Sequence, residues 1–437
     1  MTIIDFIHGT RLADLPSDTI DAAIRALVDT LGVAVAGRTT GLSHIIHEHA
    51  ARQFGGTGAT LWQDGRVVSA AGAALANGMT IDAVDAHDGH KLTKGHVGCG
   101  TIPALIALME AEGLTDPQEM LTSLVIGYEI GTRAGIALHA SASDYHTSGA
   151  WIALAVAALG ARVLRLDAAA TREAVGIAEY HGPRSQMMRC IDAPTMVKDG
   201  SGWGAMAGVC AAYLARDGFT GAPAITVDGT DVAAHWADLG QVWHIRDQYT
   251  KIYPVCRWAQ PAVEALLAVM RDNRIDASTV KGVRIETFHE ACRLRAIPTT
   301  TEQAQYSLPF SVAVALIHGT VGVEHISGSG LQDPDIRDRA QAIEMREDTA
   351  FNAAFPARRL ARARLRLTDG RELSSAATEA QGDPENPLPD DEIWTKFRRL
   401  AGPVINTERA DALLDTARSL PQTASTESLF TQLAAAR

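Results

Sequence analysis

The chain contains few cysteines and gives no sign of a membrane span or an export signal. Its five cysteines are widely separated, and the absence of a CxxC pair excludes the usual zinc, iron–sulfur and dithiol motifs. No uncharged apolar run is long enough for a membrane span, and the N-terminus, MTIIDFIHGTRLADLP, lacks the basic start and long apolar core of a signal peptide. We therefore expect a cytoplasmic protein without a membrane partner.

Basic residues are also in the minority. Lysine and arginine number 39 against 51 aspartates and glutamates, and the formal net charge of −12 disfavours nucleic acid as a partner. A local basic pocket for a small anionic substrate is compatible with this balance. With 437 residues, of which 46% are hydrophobic and 21% charged, the chain has the composition of a globular protein with more than one domain.

Hydrophobic periodicity divides the chain into a helical part and a mixed part. Helical spacing dominates up to about residue 265, whereas VKGVRIETF at 280–288 alternates as a strand does. ARARLRL at 361–367, followed by Thr-Asp-Gly and a second extended run, predicts a β-hairpin, and 307–318 and 335–345 are predicted to be helical. We predict a large all-helical bundle domain over residues 1–268, a smaller inserted α+β domain over 269–395, and C-terminal helices over 396–437 that return to the helical domain.

Two predicted helices are almost free of charge. GAWIALAVAALGARVL at 149–164 and GWGAMAGVCAAYLA at 202–215 are typical of helices buried on most sides, in the middle of a bundle. Ser69 is expected to cap a helix over 69–84, which leads directly into an unusually polar segment.

That polar segment, DAHDGHKLTKGHVGC at 85–99, is the first candidate site. It contains five acidic and histidine side chains: Asp85, His87, Asp88, His90 and His96. Its glycines predict an irregular loop, the kind of segment on which binding groups are often displayed. A solvated surface loop without function is an equally weighted alternative.

Three further segments each place polar residues before an apolar helix. SDYHTSGAW contains Tyr145 and His146, TMVKDGSGW contains Lys198, and YTKIYPVCRWAQP contains Lys251 and Arg257. Each residue also has a structural explanation: a capping histidine, a solvated lysine, or an arginine paired with a surface acid. The repeated form of the three segments favours a shared site. A metal bound by His and Asp side chains of the 85–99 loop is a weaker alternative, because their spacing matches no recognised site.

Taken in order, these segments resemble the MmgE/PrpD family. The resemblance rests on DAHDGH..KGHVGCGTIPALIALME, YHTSGAWIALAVAALGARVLRLD, VKDGSGWGAMAGVCAAYLARDGFTG, KIYPVCRWAQPAVEA, QYSLPFSVAVAL and GDPENPLPDDEIWTKFRRLAG. The family includes 2-methylcitrate dehydratase, cis-aconitate decarboxylase and iminodisuccinate epimerase. The resemblance implies a homodimer with an active site between a helical and an α+β domain, which acts on di- or tricarboxylates without a metal or organic cofactor.

The family's functional residues match Asp85, His96, His146, Lys198 and Lys251. The chain departs from the family's D-x-D-D-T pattern, since residues 85–89 read DAHDG, and it has Tyr145 where Trp or Phe is common and Ser201 near a frequent His. These departures bear on the substrate and on the reaction type.

Chemistry next to a carboxylate needs fixed cations and a proton-transfer group. The resemblance and the residue types together assign proton transfer to His146, with His96 as a second acid or base. They make Lys198 a carboxylate clamp or partner base, and Asp85 a group that orients a histidine or holds a substrate hydroxyl. Tyr145 is a further catalytic candidate, and the predicted substrate-binding residues are Lys251, Arg257, His90, Lys94 and Tyr306.

The predicted function is a cofactor-independent lyase, of dehydratase or decarboxylase type, acting on a small polycarboxylate. One alternative is an epimerase or isomerase at a carbon next to a carboxylate, for which a tyrosine–lysine pair would supply bases on opposite faces. A second alternative is a non-catalytic binding protein on the same fold.

Overall fold

Two hydrophobic cores organise the molecule. The computed structural model describes residues 1–436. The larger core draws its residues from 6–245 and 388–433, and the smaller core draws its residues from 187–191 and 253–367. The last helices of the chain therefore contribute to the same core as the first ones, while the exact domain boundaries given above stay predictions.

Helices dominate the first part of the chain. They are α1 (Ile3–Gly9), α2 (Ser17–Gly37), α3 (Gly41–Gln53), α4 (Ala70–Asp82), α5 (Gly98–Ala111), α6 (Pro117–Ser141), α7 (Gly149–Val163), α8 (Ala168–His181), α9 (Met187–Asp192), α10 (Ser201–Arg216) and α11 (Ile225–Asp228). As predicted, Ser69 caps α4, because its side chain accepts a hydrogen bond from the Gly72 N–H. No helix in residues 1–436 combines the length and the apolarity needed to cross a bilayer.

The nearly charge-free helices α7 and α10 lie side by side in the helical part. Their backbones approach closely: a Cβ on Gly204 would stand 2.3 Å from the Gly149 carbonyl oxygen. Only glycine fits such a crossing, since any side chain would force the two helices apart. The close crossing brings the loops before α7 and α10 next to each other.

Four short strands interrupt the helical part, which differs from the all-helical prediction. They are β1 (Ala59–Thr60), β2 (Val67–Val68), β3 (Gly89–His90) and β4 (Gln248–Tyr249). Strands this short have no alternating pattern for the sequence to reveal. The β3–β4 pair, with Gly89 opposite Tyr249, joins the 85–99 loop to the 249–261 segment.

The smaller core lies against a four-stranded sheet. After α12 (Gln260–Asn273) come β5 (Val280–Thr287), α13 (Thr301–Gln305), α14 (Leu308–His318), α15 (Val323–Ile326), α16 (Pro334–Ala342), β6 (Glu344–Glu347), α17 (Thr349–Ala354), β7 (Ala361–Leu367) and β8 (Glu372–Ser374). The strand order is β6-β5-β7-β8, with β5 and β6 parallel and the other neighbours antiparallel. The predicted hairpin is confirmed as β7–β8.

One prediction in this region is wrong at its end. The segment 335–345 was expected to be entirely helical, but the helix stops at Ala342 and 344–347 forms the edge strand β6. The sequence EMRE is mostly exposed and pairs on one side only, with β5, so its strand character depends on a partner about 60 residues earlier in the chain.

The chain ends with three helices, α18 (Asp390–Ile405), α19 (Thr407–Arg418) and α20 (Glu427–Ala434). Helix α18 packs on α2, and Gly32 lies directly under the Phe397 ring, where a Cβ would stand 2.9 Å from a ring carbon. Within the same contact, the Lys396 ammonium donates to Asp29 Oδ1 at 2.6 Å and to the Ala86 carbonyl at 2.7 Å. Through this bond to Ala86, the C-terminal helix α18 fixes the position of the polar loop.

Candidate active site

The 85–99 loop is buried. Every residue from 81 to 91 is inaccessible or nearly so, and only Leu92 in the loop is fully exposed. The alternative of a solvated surface loop is therefore wrong. Burying so many polar groups is unfavourable unless each is hydrogen-bonded, paired with a charge or needed to bind a ligand. The surroundings of these side chains therefore indicate what the loop does.

Most of the predicted site residues face one inner cavity. Its lining consists of Asp85, Lys94, His96, Tyr145, Met187, Ile191, Asp199, Tyr249, Lys251, Cys256, Arg257, Trp258 and Tyr306. Seven of the ten predicted residues are in this set. The cavity measures about 20 Å³, which is room for one water molecule, so a polycarboxylate has to widen it on binding.

Asp85 and Lys251 form a buried ion pair in the cavity wall. The Lys251 ammonium donates to Asp85 Oδ1 at 2.7 Å and to the Asp85 carbonyl at 2.9 Å. Burial alone raises the pKa of Asp85, but the charges of Lys251 and Lys198 outweigh it and hold that pKa below its usual value. Asp85 is therefore an anion, and its role is to neutralise and orient Lys251.

A second acid in the cavity has the opposite character. Asp199 Oδ2 lies 3.4 Å from His96 Nε2. Burial, reinforced by the negative charges of Asp82 and Asp85, raises the pKa of Asp199 to about 7. Burial, reinforced by Lys251, lowers the pKa of His96 to about 3. Near neutral pH the two therefore form a neutral imidazole beside a carboxyl group able to carry a proton.

The orientation of His96 is fixed by its neighbours. Its Nδ1–H donates to the Asp88 carbonyl, so that Nε2 presents a lone pair toward Asp199. Its backbone N–H donates to Ser148 Oγ at 2.9 Å, and its carbonyl accepts from Trp151 Nε1 at 2.7 Å. Ser148 is the N-cap residue of α7, but its side chain makes no capping bond and accepts from the polar loop instead.

Lys198 is fully buried yet has no acidic partner. Its ammonium donates to Gln305 Oε1 and lies 4.5 Å from the centre of the Tyr306 ring, and in residues 1–436 no carboxylate oxygen lies within 4.0 Å of it. Its backbone φ is 49°, in the left-handed region. Asp85 and Lys94 share this strained conformation, with φ of 50° and 53°.

Lys94, Tyr145 and Arg257 complete the polar wall. The Tyr145 hydroxyl donates to the Lys94 carbonyl, and the Lys94 ammonium lies 4.9 Å from the Tyr145 ring centre. Arg257 bonds Asp383 Oδ1 at 2.5 Å and lies 4.7 Å from the Tyr249 ring centre. The structural explanation offered for Arg257, pairing with a surface acid, is thus correct in part: Arg257 does pair with an acid, but Asp383 is buried.

Helix α9 separates the inner cavity from an outer pocket of about 660 Å³. Met187 and Ile191 line the inner cavity, whereas Arg189 and Cys190 line the outer pocket together with Lys198. An approach from the outer pocket to the inner cavity therefore passes α9 and Lys198.

Three of the ten predicted residues do not line the inner cavity: Lys198, which lines the outer pocket, and His146 and His90. The His146 N–H donates to His139 Nε2 at 3.1 Å, and the two rings stack at 6.3 Å, so the imidazole faces α6 instead of the cavity. His90 is held in β3, with its ring 5.7 Å from that of His244.

Sequence reasoning missed several residues of the cavity wall. Asp199 directly follows Lys198 in VKDGSGW, so its place in a segment already selected was a signal that could have identified it. Tyr249 begins the 249–261 segment but was not selected. Met187 and Ile191 carry no chemical signal, because apolar residues within a short helix are indistinguishable in sequence from ordinary core residues.

Among residues 1–436, three groups of side chains have the spacing to hold a metal ion. They are Asp82–His87–Cys99, Asp85–His87–His96 and His90–His244–Asp247, each with ligand atoms within 4.8 Å of one another. Of the His and Asp side chains of the 85–99 loop considered from the sequence, Asp85, His87 and His96 are brought together, whereas His90 belongs to a separate group. At the cavity the Lys251 ammonium already occupies Asp85, and its positive charge opposes a cation there.

Several curated proteins are similar to this chain over nearly its whole length. A cis-aconitate decarboxylase-like protein of Aspergillus oryzae is 24% identical, over 98% of this chain and 95% of the relative. Cis-aconitate decarboxylase of Aspergillus terreus is 24% identical, over 93% of this chain and 90% of the relative. The human cis-aconitate decarboxylase is 22% identical, over 95% and 90%.

Family models lead to the same group. The MmgE/PrpD N-terminal domain matches residues 1–243, and the MmgE/PrpD C-terminal domain matches residues 253–422. These matches leave out only a short junction and the last residues, and they agree with the resemblance seen in the sequence segments. The chain is therefore a member of the MmgE/PrpD family.

Proposed function

We propose that this protein is a cofactor-independent lyase that acts on a small di- or tricarboxylate by proton transfer next to a carboxylate. The observation that carries the proposal is the Asp199–His96 pair, a protonatable acid beside a neutral imidazole, in a buried cavity whose wall also contains Lys251 and Arg257. Lys198 lies beside this cavity and lines the outer pocket. The relatives named as cis-aconitate decarboxylases support the lyase class.

The cations serve the charge that develops during such a reaction. Loss of carbon dioxide, or of a proton next to a carboxylate, leaves negative charge beside an existing anion, and fixed positive groups in a site without bulk water stabilise it most. Lys251 and Arg257 are already paired with Asp85 and Asp383. Lys198 has no anionic partner within 4.0 Å, so we assign it to a substrate carboxylate.

Proton transfer is assigned to Asp199 with His96. In a decarboxylation, the bond to the departing carboxylate breaks and its electron pair stays on the adjacent carbon, which then takes a proton from Asp199. In a dehydration, the same pair removes a proton from carbon and delivers one to the leaving hydroxyl. His146 keeps the role implied by the resemblance only if its ring turns from His139 toward the cavity, and this is testable.

The epimerase alternative gains nothing from the geometry of Tyr145. Burial raises the pKa of Tyr145 well above its usual value, and its hydroxyl already donates to the Lys94 carbonyl. A tyrosine in this state is a poor base. Epimerisation is therefore kept as an outcome of the test and not as a second proposal.

Proton NMR in deuterium oxide tests the proposal. The purified protein is incubated with cis-aconitate, 2-methylcitrate or iminodisuccinate, and we expect a product formed by elimination of water or loss of carbon dioxide. Deuterium uptake with an intact carbon skeleton would instead indicate an epimerase, and binding without any turnover would indicate the non-catalytic alternative.

Three variants accompany this screen. Asp199→Asn removes the proposed proton donor, His146→Ala tests the role implied by the resemblance, and His181→Ala, at an exposed end of α8, is the matched control. Turnover that survives Asp199→Asn and disappears in His146→Ala would move the proton transfer back to His146.

We also propose a homodimer. Several large apolar side chains near α8 and α10 are exposed, among them Tyr180 at 75%, Phe219 at 50% and Trp203 at 42%. Light scattering coupled to size exclusion is expected to give twice the 46.4 kDa chain mass.

A further inference from the structure

Buried cations in this protein are almost always paired. Lys251 lies on Asp85, Arg257 on Asp383 and Lys396 on Asp29, with nitrogen–oxygen distances of 2.5–2.7 Å. Within residues 1–436, two buried lysine or arginine side chains have no carboxylate oxygen within 4.0 Å, and they are Lys198 and Arg359, each 2% exposed. Lys198 belongs to the site described above, and Arg359 has no role in it so far.

Arg359 is poorly satisfied for a buried guanidinium. Its Nη2 donates to the Lys91 carbonyl at 3.2 Å, and the guanidinium also interacts with the Tyr249 side chain and, without direct contact, with the charge of Asp383. Nε and Nη1 have no hydrogen-bond partner. A buried donor without an acceptor costs free energy, and a buried charge that no carboxylate contacts costs more. Such a group is expected where an anion arrives during function.

The position of Arg359 connects it to the cavity. Its guanidinium lies 5.3 Å from the centre of the Tyr249 ring, and Tyr249 lines the cavity. It also acts electrostatically on Lys94 and Tyr145, two further residues of the wall. Because it stands two residues before the start of β7 at Ala361 and donates to the Lys91 carbonyl of the polar loop, it links the sheet to the helical part.

We propose that Arg359 is a specificity-determining residue that binds one carboxylate of the substrate while Lys198 binds another. Nε and Nη1 lie on different edges of the guanidinium, and one of them, together with the second hydrogen of Nη2, forms a fork that suits the paired oxygens of a carboxylate. The Lys198 ammonium, in contrast, acts as a point charge. The site then selects substrates with at least two carboxylates. This inference rests on the proposed function, since it names the feature by which the same site recognises its substrate class.

Binding requires the wall to move, because the inner cavity has room for only one water molecule. Tyr249 stacks against both Arg257 and Arg359, so its displacement is the step that exposes Arg359 to the substrate. Arg257 stays neutralised by Asp383 during this step and does not compete for the substrate carboxylate.

Binding of two unreactive acids tests the inference. Glutarate and pentanoate share a five-carbon chain and differ by one terminal carboxylate, and their Kd values are measured by calorimetry for the wild-type protein and for Arg359→Gln. We expect the wild-type protein to prefer glutarate by at least about tenfold, as for one charge-assisted contact, and Arg359→Gln to lose most of that preference. Arg359→Lys keeps the charge without the fork and is expected to fall between them.

Arg358→Gln is the matched control. Arg358 is the neighbouring residue, its side chain is 60% exposed, and it pairs with Glu379 on the surface. An unchanged preference in Arg359→Gln, or an equal loss in Arg358→Gln, would overturn the inference and leave the proposed function standing. If circular dichroism shows that Arg359→Gln does not fold, Arg359→Lys takes its place: a preference lower than that of the wild-type protein supports the inference, and an unchanged preference overturns it. A wild-type protein that binds neither acid and turns over no polycarboxylate would remove the proposed function itself.

Discussion

The buried pair between Asp29 and Lys396 allows a quantitative test of how the C-terminal helices hold the site. Lys396 is 4% exposed and Asp29 3%, and their contact of 2.6 Å joins α18 to α2. Replacing Lys396 by Met keeps the apolar stem but leaves the Asp29 carboxylate and the Ala86 carbonyl without their donor. Breaking a buried pair on one side costs about 3–5 kcal/mol, and the lost bond to the carbonyl adds about 1 kcal/mol.

Removing both charges should behave differently. In the double variant Asp29→Leu with Lys396→Met, no uncompensated charge remains, so the stability is expected to return to within about 1–2 kcal/mol of the wild-type value or to exceed it. The penalty in the single variant also depends on pH. Burial already raises the pKa of Asp29, and without Lys396 it rises further. The folded state then holds a proton that the unfolded chain releases, so the penalty is larger at pH 8 than at pH 5.

Urea unfolding followed by far-UV circular dichroism measures both effects. We expect Lys396→Met to lower the free energy of unfolding by about 4–6 kcal/mol at pH 8, as the sum of the two terms above, and the double variant to recover most of it. A single variant within about 1 kcal/mol of wild type, or a double variant as unstable as the single one, would refute the reasoning, because either result means that the buried charges do not depend on each other.

Two further predictions concern the site and the helices beneath it. Asp199→Asn is expected to lower kcat by about 10²–10⁴-fold with little change in KM, and to increase stability at pH 8. The raised pKa of Asp199 means that the native carboxyl resists ionisation, so the stability of the wild-type protein falls as the pH rises toward about 7, and the amide side chain of the variant removes that loss. Kinetics measured as a function of pH check the effect on kcat, and thermal unfolding checks the effect on stability. An active variant with wild-type stability would contradict the assignment. Gly204→Ala is expected to destabilise the protein by about 1–3 kcal/mol, because its Cβ would stand 2.3 Å from the Gly149 carbonyl oxygen. Gly402→Ala, in α18 with open space around it, is expected to stabilise the protein by about 0.5–1 kcal/mol. Equal effects of the two changes in urea unfolding would contradict the close crossing of α7 and α10.

Much of the fold could be predicted because its signals are local and periodic. The charge-free segments that became α7 and α10 could only be buried helices, and the alternation of 361–367 with the turn after it specified a hairpin. The edge strand β6 could not be predicted in the same way. Its four residues lack a pattern, and they are extended because β5 lies beside them.

The site was partly predictable for a similar reason. Polar loops leading into apolar helices contain six of the seven predicted residues of the cavity wall, since such polar groups need partners inside the protein. The seventh, Tyr306, lies in QYSLPFSVAVAL, one of the segments that carry the family resemblance. Side-chain direction was not available from the sequence, and this is why His146 and His90 were included although their rings face His139 and His244. Arg359 was not recognised because an arginine next to a β-strand looks like a surface residue until its burial is known.

The left-handed backbone at Asp85, Lys94 and Lys198 has a consequence for how this protein can change. A non-glycine residue in that conformation costs roughly 1–2 kcal/mol relative to glycine, so at each position glycine or asparagine would relax the chain. At Lys94 and Lys198, selection for thermostability alone therefore favours substitutions that delete the ammonium group, whereas selection for turnover retains it. At Asp85 the same change would leave the buried Lys251 ammonium without its counter-charge, which costs more than the strain that it relieves. A variant library screened only for folding is therefore expected to accumulate changes at Lys94 and Lys198 first, and a loss of turnover in such variants would identify residues needed for activity without any knowledge of the substrate.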